Sequence, residues 1–385
     1  MTRPTVLIAG GGTGGHVFPG VAVAEALHGL ADLETVFCGT DRGVEARVVP
    51  ARGWRLETID VRPIKGGGPV RAVTGSFTAA RAMLAAFRLV HSLKPRAVLS
   101  VGGYAAGPIS VAAAITGVPT AVLEPNSVVG LTNRWLSPFA RRAYVAWEDA
   151  APAFRPSIRR HLGTPLRPGF VPRPYAPHSP LRVLVMGGSQ GASALNERVP
   201  EALAMVAARA TIDVLHQAGR DREVAVRDAY GRANVDRVRV VPFIDDVASA
   251  IADSDVVLAR AGAGTIAEIA AIGRASILVP FPHAADDHQH RNAAAMSRDG
   301  AAVCLPQSVA DPRRIADEIA RLVFDDDLRG RMARAARLLG RPNAARDIAA
   351  DLLSLARISA RIALPADDAP KNGAPHPRGL AGAER

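Results

Sequence analysis

Cysteine is almost missing from this 385-residue chain: Cys38 and Cys304 stand far apart, in no Cys-x-x-Cys or Cys/His spacing. That excludes a disulfide framework and a sequence-coded zinc site, and both residues are expected to be buried small apolar side chains. Aromatic residues make up 4%, and no recognised RNA- or DNA-binding motif occurs, so nucleic acid is not expected as a partner. Acidic residues are outnumbered, 36 against 47 Lys and Arg, and the net charge of +11 favours anionic partners such as phosphorylated substrates or acidic lipid.

Targeting and membrane-crossing signals are absent too. The N-terminal apolar run stops at glycines before it could form a signal peptide, so the chain is expected to stay in the cytosol. From Ala97 to Leu123 no residue is charged, which imitates a membrane span in length. Gly102, Gly103, Gly107, Pro108, Gly117 and Pro119 divide it into strand, loop, helix and strand, a buried βαβ unit.

What is present is hydrophobic residue, 48% of the chain, in a length that suits two domains. Short apolar runs alternate with helical patterns from Val6 onward, which predicts an α/β fold with a parallel, doubly wound sheet. Prolines crowd residues 166–180 and mark a linker, after which strand, glycine loop and helix begin again at Leu181. Residues 1–165 and 181–343 are therefore expected to form two Rossmann-like domains facing across a cleft. A helix over about 344–362 is expected to return to the first domain, and a Pro-, Ala- and Gly-rich tail, 363–385, to be disordered.

The first glycine cluster follows the strand Val6–Ala9. Gly10-Gly11-Gly12-Thr13-Gly14-Gly15-His16 leads to a helix expected from Pro19 or Gly20, and such a junction suits a phosphate or a phosphate-linked sugar. An ordinary βα turn carries the same glycines. His16 adds a side chain that titrates near neutrality, hence a candidate general base, with a turn-capping histidine as the alternative.

Other motifs carry two readings each. Thr265 and Glu268 have capping-box spacing, yet the same segment could receive a diphosphate and hold ribose hydroxyls. The His283–Asn292 stretch is dense in polar groups after a strand, and Asp287 with Gln289 would read a sugar better than its histidines would bind a metal. Asp253-Ser254-Asp255 is read as turn or cap, not as a metal motif. Between Arg52 and Arg96 nine Lys/Arg face only Glu57 and Asp60. Val70, Val73, Phe77, Met83, Leu84, Phe87 and Val90, with Arg71, Arg81 and Arg88, make either a membrane-surface helix or a core-facing one.

In order along the chain, Gly11–Gly20, Gly102–Pro108, Gly130-Leu131-Thr132-Asn133, Gly187–Ala192, Phe243–Asp246, Gly262–Glu268 and His283–Asn292 resemble the bacterial MurG family of GT-B glycosyltransferases. The resemblance covers about Val6 to Asp351. It implies inverting transfer of N-acetylglucosamine from UDP-GlcNAc to a lipid-linked muramoyl-pentapeptide (lipid I) in peptidoglycan synthesis, with no cofactor and no metal. His16 is implied as the base. Thr13, Gly14, Gly15, Asn126, Arg167, Ser189, Ile244, Ala263, Gly264, Thr265, Glu268 and Gln289 are implied on the donor side. Gly12, Gly102, Gly103 and Tyr104 belong to loops for the acceptor diphosphate. An anionic membrane surface, peripheral placement on the cytoplasmic face of the inner membrane, and contact with cell-wall or division machinery are also implied.

One position departs from the family: Leu123-Glu124-Pro125-Asn126 stands where His-Glu-Gln-Asn is common, so a role for that histidine is void here. Competing readings are a UDP-GlcNAc 2-epimerase, which needs no acceptor or basic face, and a nucleotide-sugar-binding protein. A nicotinamide-dependent oxidoreductase is disfavoured, because the second strand ends Phe37-Cys38-Gly39-Thr40-Asp41 and gives no acidic residue about 20 positions after the glycines to hold a ribose.

Overall fold

A computed structural model describes residues 3–61, 69–188 and 191–361; the side chains of 69–78 are also outside the described set. Ser189, the tail from 362 onward, and the side chains of Val70, Arg71, Val73 and Phe77 therefore lie outside the described residues.

The chain begins β1 (Thr5–Gly10), α1 (Gly14–Leu30), β2 (Glu34–Gly39), α2 (Glu45–Ala51), β3 (Arg55–Thr58) and α3 (Pro69–Leu93). It continues through β4 (Ala97–Gly102), α4 (Ala106–Ile115), β5 (Thr120–Glu124), α5 (Leu131–Leu136), β6 (Arg142–Val145) and β7 (Arg159–His161). These strands form one parallel sheet in the order β3-β2-β1-β4-β5-β6-β7. Every residue of β1 and β4 is buried, which is why their sequences run apolar without alternation.

The pattern then repeats as β8 (Leu181–Met186), α6 (Ser193–Ala207), β9 (Ile212–Gln217), α7 (Glu223–Arg232), β10 (Val238–Val241), α8 (Val247–Ala252) and β11 (Val256–Ala259). α9 (Ala263–Ile272), β12 (Ala275–Leu278), α10 (His288–Arg298), β13 (Val303–Cys304), α11 (Pro312–Phe324), α12 (Asp326–Leu339) and α13 (Ala344–Ala356) complete it. The second sheet, also parallel, has the order β10-β9-β8-β11-β12-β13.

The chain crosses between the halves at two places, the proline-rich segment and α13. α13 lies on α1, and its Ile348, Ala349, Leu352 and Leu353 enter the same core cluster as Val6, Ile8 and Leu99. Asp351 anchors it further, accepting hydrogen bonds from Arg142 Nε and Tyr144 Oη, each at 2.9 Å. The proline-rich segment is held against the second half by Asp255. That buried carboxylate accepts from Tyr175 Oη, the His178 backbone N–H and imidazole, and the Arg182 backbone N–H.

Several elements differ from expectation for identifiable reasons. α1 starts at Gly14, not Pro19 or Gly20, because the Thr13 carbonyl already accepts from the N–H groups of His16 and Val17. Pro19 removes one interior bond without ending the helix. α13 stops at Ala356, where Arg357 turns left-handed, six residues before the expected end. Cys38 is buried, its thiol pushed up to about 12 by burial, but Cys304 is only half-buried on the last short strand. On α3, Ala82, Ala86 and Val90 are buried and Met83 and Phe87 pack on the same cluster, so these face the core; Leu84 is the exposed one.

Candidate active site

In open parallel sheets, ligands sit where strand order reverses, at the carboxyl ends of the two strands that flank the switch. Here the switch falls between β1 and β4 in the first sheet and between β8 and β11 in the second. The loops at those four tips are the glycine clusters after β1, β4 and β8 and the segment 260–262 after β11.

In the first half the two loops interlock. Gly11 N–H donates to the Gly102 carbonyl, and Gly102 and Gly103 hold φ of +89° and +87°. A Cβ on Gly103 would lie 2.3 Å from the Gly11 carbonyl oxygen, so no other residue fits. Thr132 Oγ1 donates to the Gly103 carbonyl, and Ser100 Oγ to Asn133 Oδ1, which ties the Gly130–Asn133 motif to the second loop. Tyr104 stands exposed beside it. Gly12, Thr40–Gly43, Asp60, Val61 and Tyr104 border a cavity of 240 Å³.

His16 lies in the first turn of α1, half-buried. Its Nδ1 is 3.2 Å from the Gly11 carbonyl oxygen, which can only accept, and 3.4 Å from Thr13 Oγ1, which can accept or donate; the shorter contact assigns the proton of the neutral ring to Nδ1. Nε2 keeps its lone pair. Burial lowers the His16 pKa below the ordinary 6.5; the Gly11 carbonyl opposes this, and His288, across the cleft, adds to the lowering. The group is neutral at pH 7, the state a base needs. Thr13 is the N-cap with no side-chain bond to a first-turn backbone N–H, its Oγ1 lying 3.4 Å from His16 Nδ1, and Gly14 and Gly15 follow it in the first turn.

Facing this helix is α9; the two approach each other across the cleft. Its N-cap is Gly262, with no side chain, so Thr265 and Glu268 do not form the capping box their spacing allowed. The first intrahelical bond joins Ile266 N–H to the Gly262 carbonyl, leaving the N–H groups of Ala263, Gly264 and Thr265 without a helical acceptor. Glu268 is one turn on, its carboxyl pushed up to about 7 by burial, with Arg167 pulling the other way from 3.8 Å. Ile244 is buried in the loop after β10, and Asp246 caps α8 through the Ser249 N–H. Gln289 Oε1 accepts from the Phe281 N–H at 3.0 Å, leaving its amide N–H groups for a ligand. Asp287 stands with φ of +53° and its carboxylate 3.3 Å from His290.

Asn126 is placed differently from the other donor-side residues. Its amide nitrogen donates to Glu124 Oε1, and its Oδ1 accepts from Asn292 Nδ2, so it joins the halves. Asn292, fully buried, also accepts the Ser127 N–H at 2.8 Å and approaches the Ala261 carbonyl. Glu124 takes four hydrogen bonds, from Asn126 N–H and side chain, Gly130 N–H and Asn133; burial still raises its pKa. Leu123 points into the core cluster with Tyr144 and Leu352.

Sequence reasoning left two residues without roles. Asn292 sat at the end of a quoted motif, but its partners are 165 and 166 positions away. Glu45, buried beneath the first glycine loop, opens α2 with no motif around it. A second cavity, of 220 Å³, lies where the chain crosses between halves at Thr164–Leu166 and Leu339–Arg341, and holds none of the site residues.

The class of protein follows from family models: glycosyltransferase family 28, N-terminal domain, matches residues 6–145, and its C-terminal domain matches residues 182–352. A relative from Sorangium cellulosum is 54% identical over 92% of this chain and 89% of its own length. One from Alkalilimnicola ehrlichii is 45% identical over 93% and 100%. Each is named UDP-N-acetylglucosamine–N-acetylmuramyl-(pentapeptide) pyrophosphoryl-undecaprenol N-acetylglucosamine transferase. The crystal structure of Acinetobacter baumannii MurG superposes with a TM-score of 0.78 at 33% identity, covering 91% of this chain and 99% of that one. The chain belongs to this family of two-domain GT-B glycosyltransferases. A Neisseria meningitidis UDP-GlcNAc 2-epimerase shares the fold alone, at 12% identity, a TM-score of 0.63, and coverage of 92% and 100%.

Proposed function

We propose that this protein transfers N-acetylglucosamine from UDP-GlcNAc to the C4 hydroxyl of the muramoyl-pentapeptide on undecaprenyl diphosphate, converting lipid I to lipid II. The observation that carries the mechanism is His16: a neutral imidazole with Nδ1 bound to Gly11 and Nε2 free, opposite the open N-terminus of α9. The acceptor hydroxyl gives its proton to Nε2 while its oxygen bonds to the anomeric carbon. The bond from that carbon to the β-phosphate oxygen breaks, UDP leaves with the electron pair, and the configuration inverts. The N–H groups of Ala263, Gly264 and Thr265 and the helix dipole take up the charge gathering on the leaving diphosphate.

On this reading Ile244 meets uracil through its backbone, Glu268 accepts from the ribose hydroxyls with Arg167 beside it, and Gln289 reads the sugar. Thr13, Gly14 and Gly15 close the donor side, and Asn126 acts by setting the angle between the halves. Gly12, Gly102, Gly103 and Tyr104 receive the acceptor diphosphate.

The lipid acceptor requires a membrane-facing surface, and exposed apolar side chains in the first half supply one. Leu84, Ile115, Leu131, Trp135 and Phe139 are exposed, with Arg88, Arg134 and Arg141 on the same elements or beside them. Among the described residues no helix is long and apolar enough to cross a membrane, and a basic apolar face supports peripheral attachment to the cytoplasmic leaflet. Sedimentation with phosphatidylglycerol vesicles checks this: Trp135→Glu is expected to weaken binding, and unchanged binding would remove α5 from the face.

Activity is tested by UDP release from UDP-GlcNAc with and without a short-chain lipid I analogue. Acceptor-dependent release that collapses in His16→Ala supports the transferase. Release without acceptor would favour an isomerase, and UDP binding without release a binding protein.

A further inference from the structure

Glu45 is a buried carboxylate that the mechanism above does not use. It is 1% exposed, and among the described residues no cation pairs with it. Instead Oε2 accepts the Gly12 N–H at 2.7 Å, and Oε1 accepts the Thr40 N–H and Oγ–H at 2.9 and 2.8 Å. Burial alone would raise its pKa; the hydrogen bonds from Thr40 and Gly12 outweigh that and keep it below the usual range, hence charged.

The surrounding sequence is shaped to this carboxylate. Cβ atoms built on Gly11, Gly39 and Gly43 would lie 2.2, 2.5 and 2.1 Å from Glu45 side-chain atoms. None of the three has a positive φ. Backbone conformation does not demand glycine there; room for the carboxylate does.

The Gly12 N–H that binds Glu45 and the Gly11 carbonyl that binds His16 Nδ1 belong to one peptide group. A planar amide transmits orientation, and an anion on its N–H end increases the negative charge on its oxygen. We propose that Glu45 is a positioning residue acting on His16 through the Gly11–Gly12 peptide, a carboxylate–peptide–imidazole relay that aims Nε2 at the acceptor hydroxyl and stabilises the imidazolium formed as the proton transfers. A carboxylate that orients a catalytic histidine directly does the same work in hydrolase triads; here a peptide bond stands between them. A Gly–Gly peptide can flip at little steric cost, and the Glu45 anchor prevents it.

The groups facing His16 are Gly11 and Thr13 on its own loop, Glu45 beneath, and His288 from the opposite half. Glu45 is the one anion among them, so its loss destabilises the imidazolium.

The inference rests on His16 being the base, and its test separates the two claims. In Glu45→Gln, kcat at saturating substrates is expected to fall about 10–100-fold, the scale of the loss when the partner that orients a metal-bound imidazole is removed. The KM for UDP-GlcNAc should stay within about twofold, and the acidic limb of kcat should move to lower pH. Glu45→Asp keeps the charge: its limb should stay at the wild-type position even where kcat falls. A limb unmoved in Glu45→Gln, or moved equally in both variants, overturns the relay. Nitrogen-15 NMR of the wild-type full chain, with His16 assigned by its loss in His16→Ala, gives a second readout that survives misfolding of a variant. A protonated Nδ1 is expected, and a protonated Nε2 overturns the proposal. If wild type shows no acceptor-dependent release, the transferase reading fails, while the tautomer still decides the relay.

Discussion

His16 and Glu268 both act without their proton, and burial favours that form only in His16, since it lowers the imidazole pKa and raises that of the carboxyl. Burial holds His16 neutral, free to accept a proton, so activity should decline as pH falls below the ordinary imidazole range. His16→Ala is expected to cost about 10²–10⁴ in kcat while calorimetry finds UDP affinity little changed; an equal loss in affinity would make His16 a binding residue. Glu268 differs, because its pKa is raised to about 7 and the charged form is the better acceptor for ribose hydroxyls. Donor KM should therefore rise as pH drops through 7, and Glu268→Gln should flatten that dependence as well as weaken binding. Both residues were legible, since each sits in a short motif after a strand. Glu45 was not: its contact with Gly12 spans 33 positions, and Gly43-Val44-Glu45 reads only as the start of a helix.

At the scale of elements, glycine loops and helix starts decide the site. Gly103→Ala would need φ near +87° and a methyl 2.3 Å from the Gly11 oxygen. Strain of about 1–3 kcal/mol is expected, seen as a lower melting temperature with a fall in kcat, because Gly11 also holds His16. An unaltered kcat would separate the second loop from the base. The runs that became β1, β4, β5, β8 and β11 were readable from continuous apolar residues. β6 and β7 were not, since Arg142, Arg159, Arg160 and His161 disguise short strands at the sheet edge. The start of α1 was misplaced and the capping box of α9 did not form, because Thr13 and Gly262 stand at the N-caps with no side-chain bond to the first-turn backbone.

Across the whole molecule, few contacts set the two halves in register. Asn292 bridges Asn126, Ser127 and Ala261 at the cleft, and Arg298 meets Asp149 at 2.7 Å. Asn292→Ala would leave buried groups unsatisfied, costing about 1–3 kcal/mol, and should lower kcat by loosening the approach of α1 to α9. A variant with wild-type kcat and lowered melting temperature would confine Asn292 to stability. Leu352→Ala, in the α13 contact with the first core, is expected to cost about 2–5 kcal/mol in denaturant unfolding. A smaller loss would mean that the returning helix is held by its polar anchor at Asp351 instead.

The sequence alone determined the parallel α/β pattern, its restart after the prolines, and the glycine loops beside His16. These are local: periodicity, turn chemistry and motif spacing need no distant partner. Only the tertiary structure decided which loops share a switch point, since strand order is set by pairing between segments far apart. It also decided that Asp253-Ser254-Asp255 anchors the proline segment through Asp255, that Asn126 serves Asn292, and that three glycines make room for Glu45. Those outcomes depend on burial and on hydrogen bonds closed across the fold, and the sequence carries no periodic trace of either.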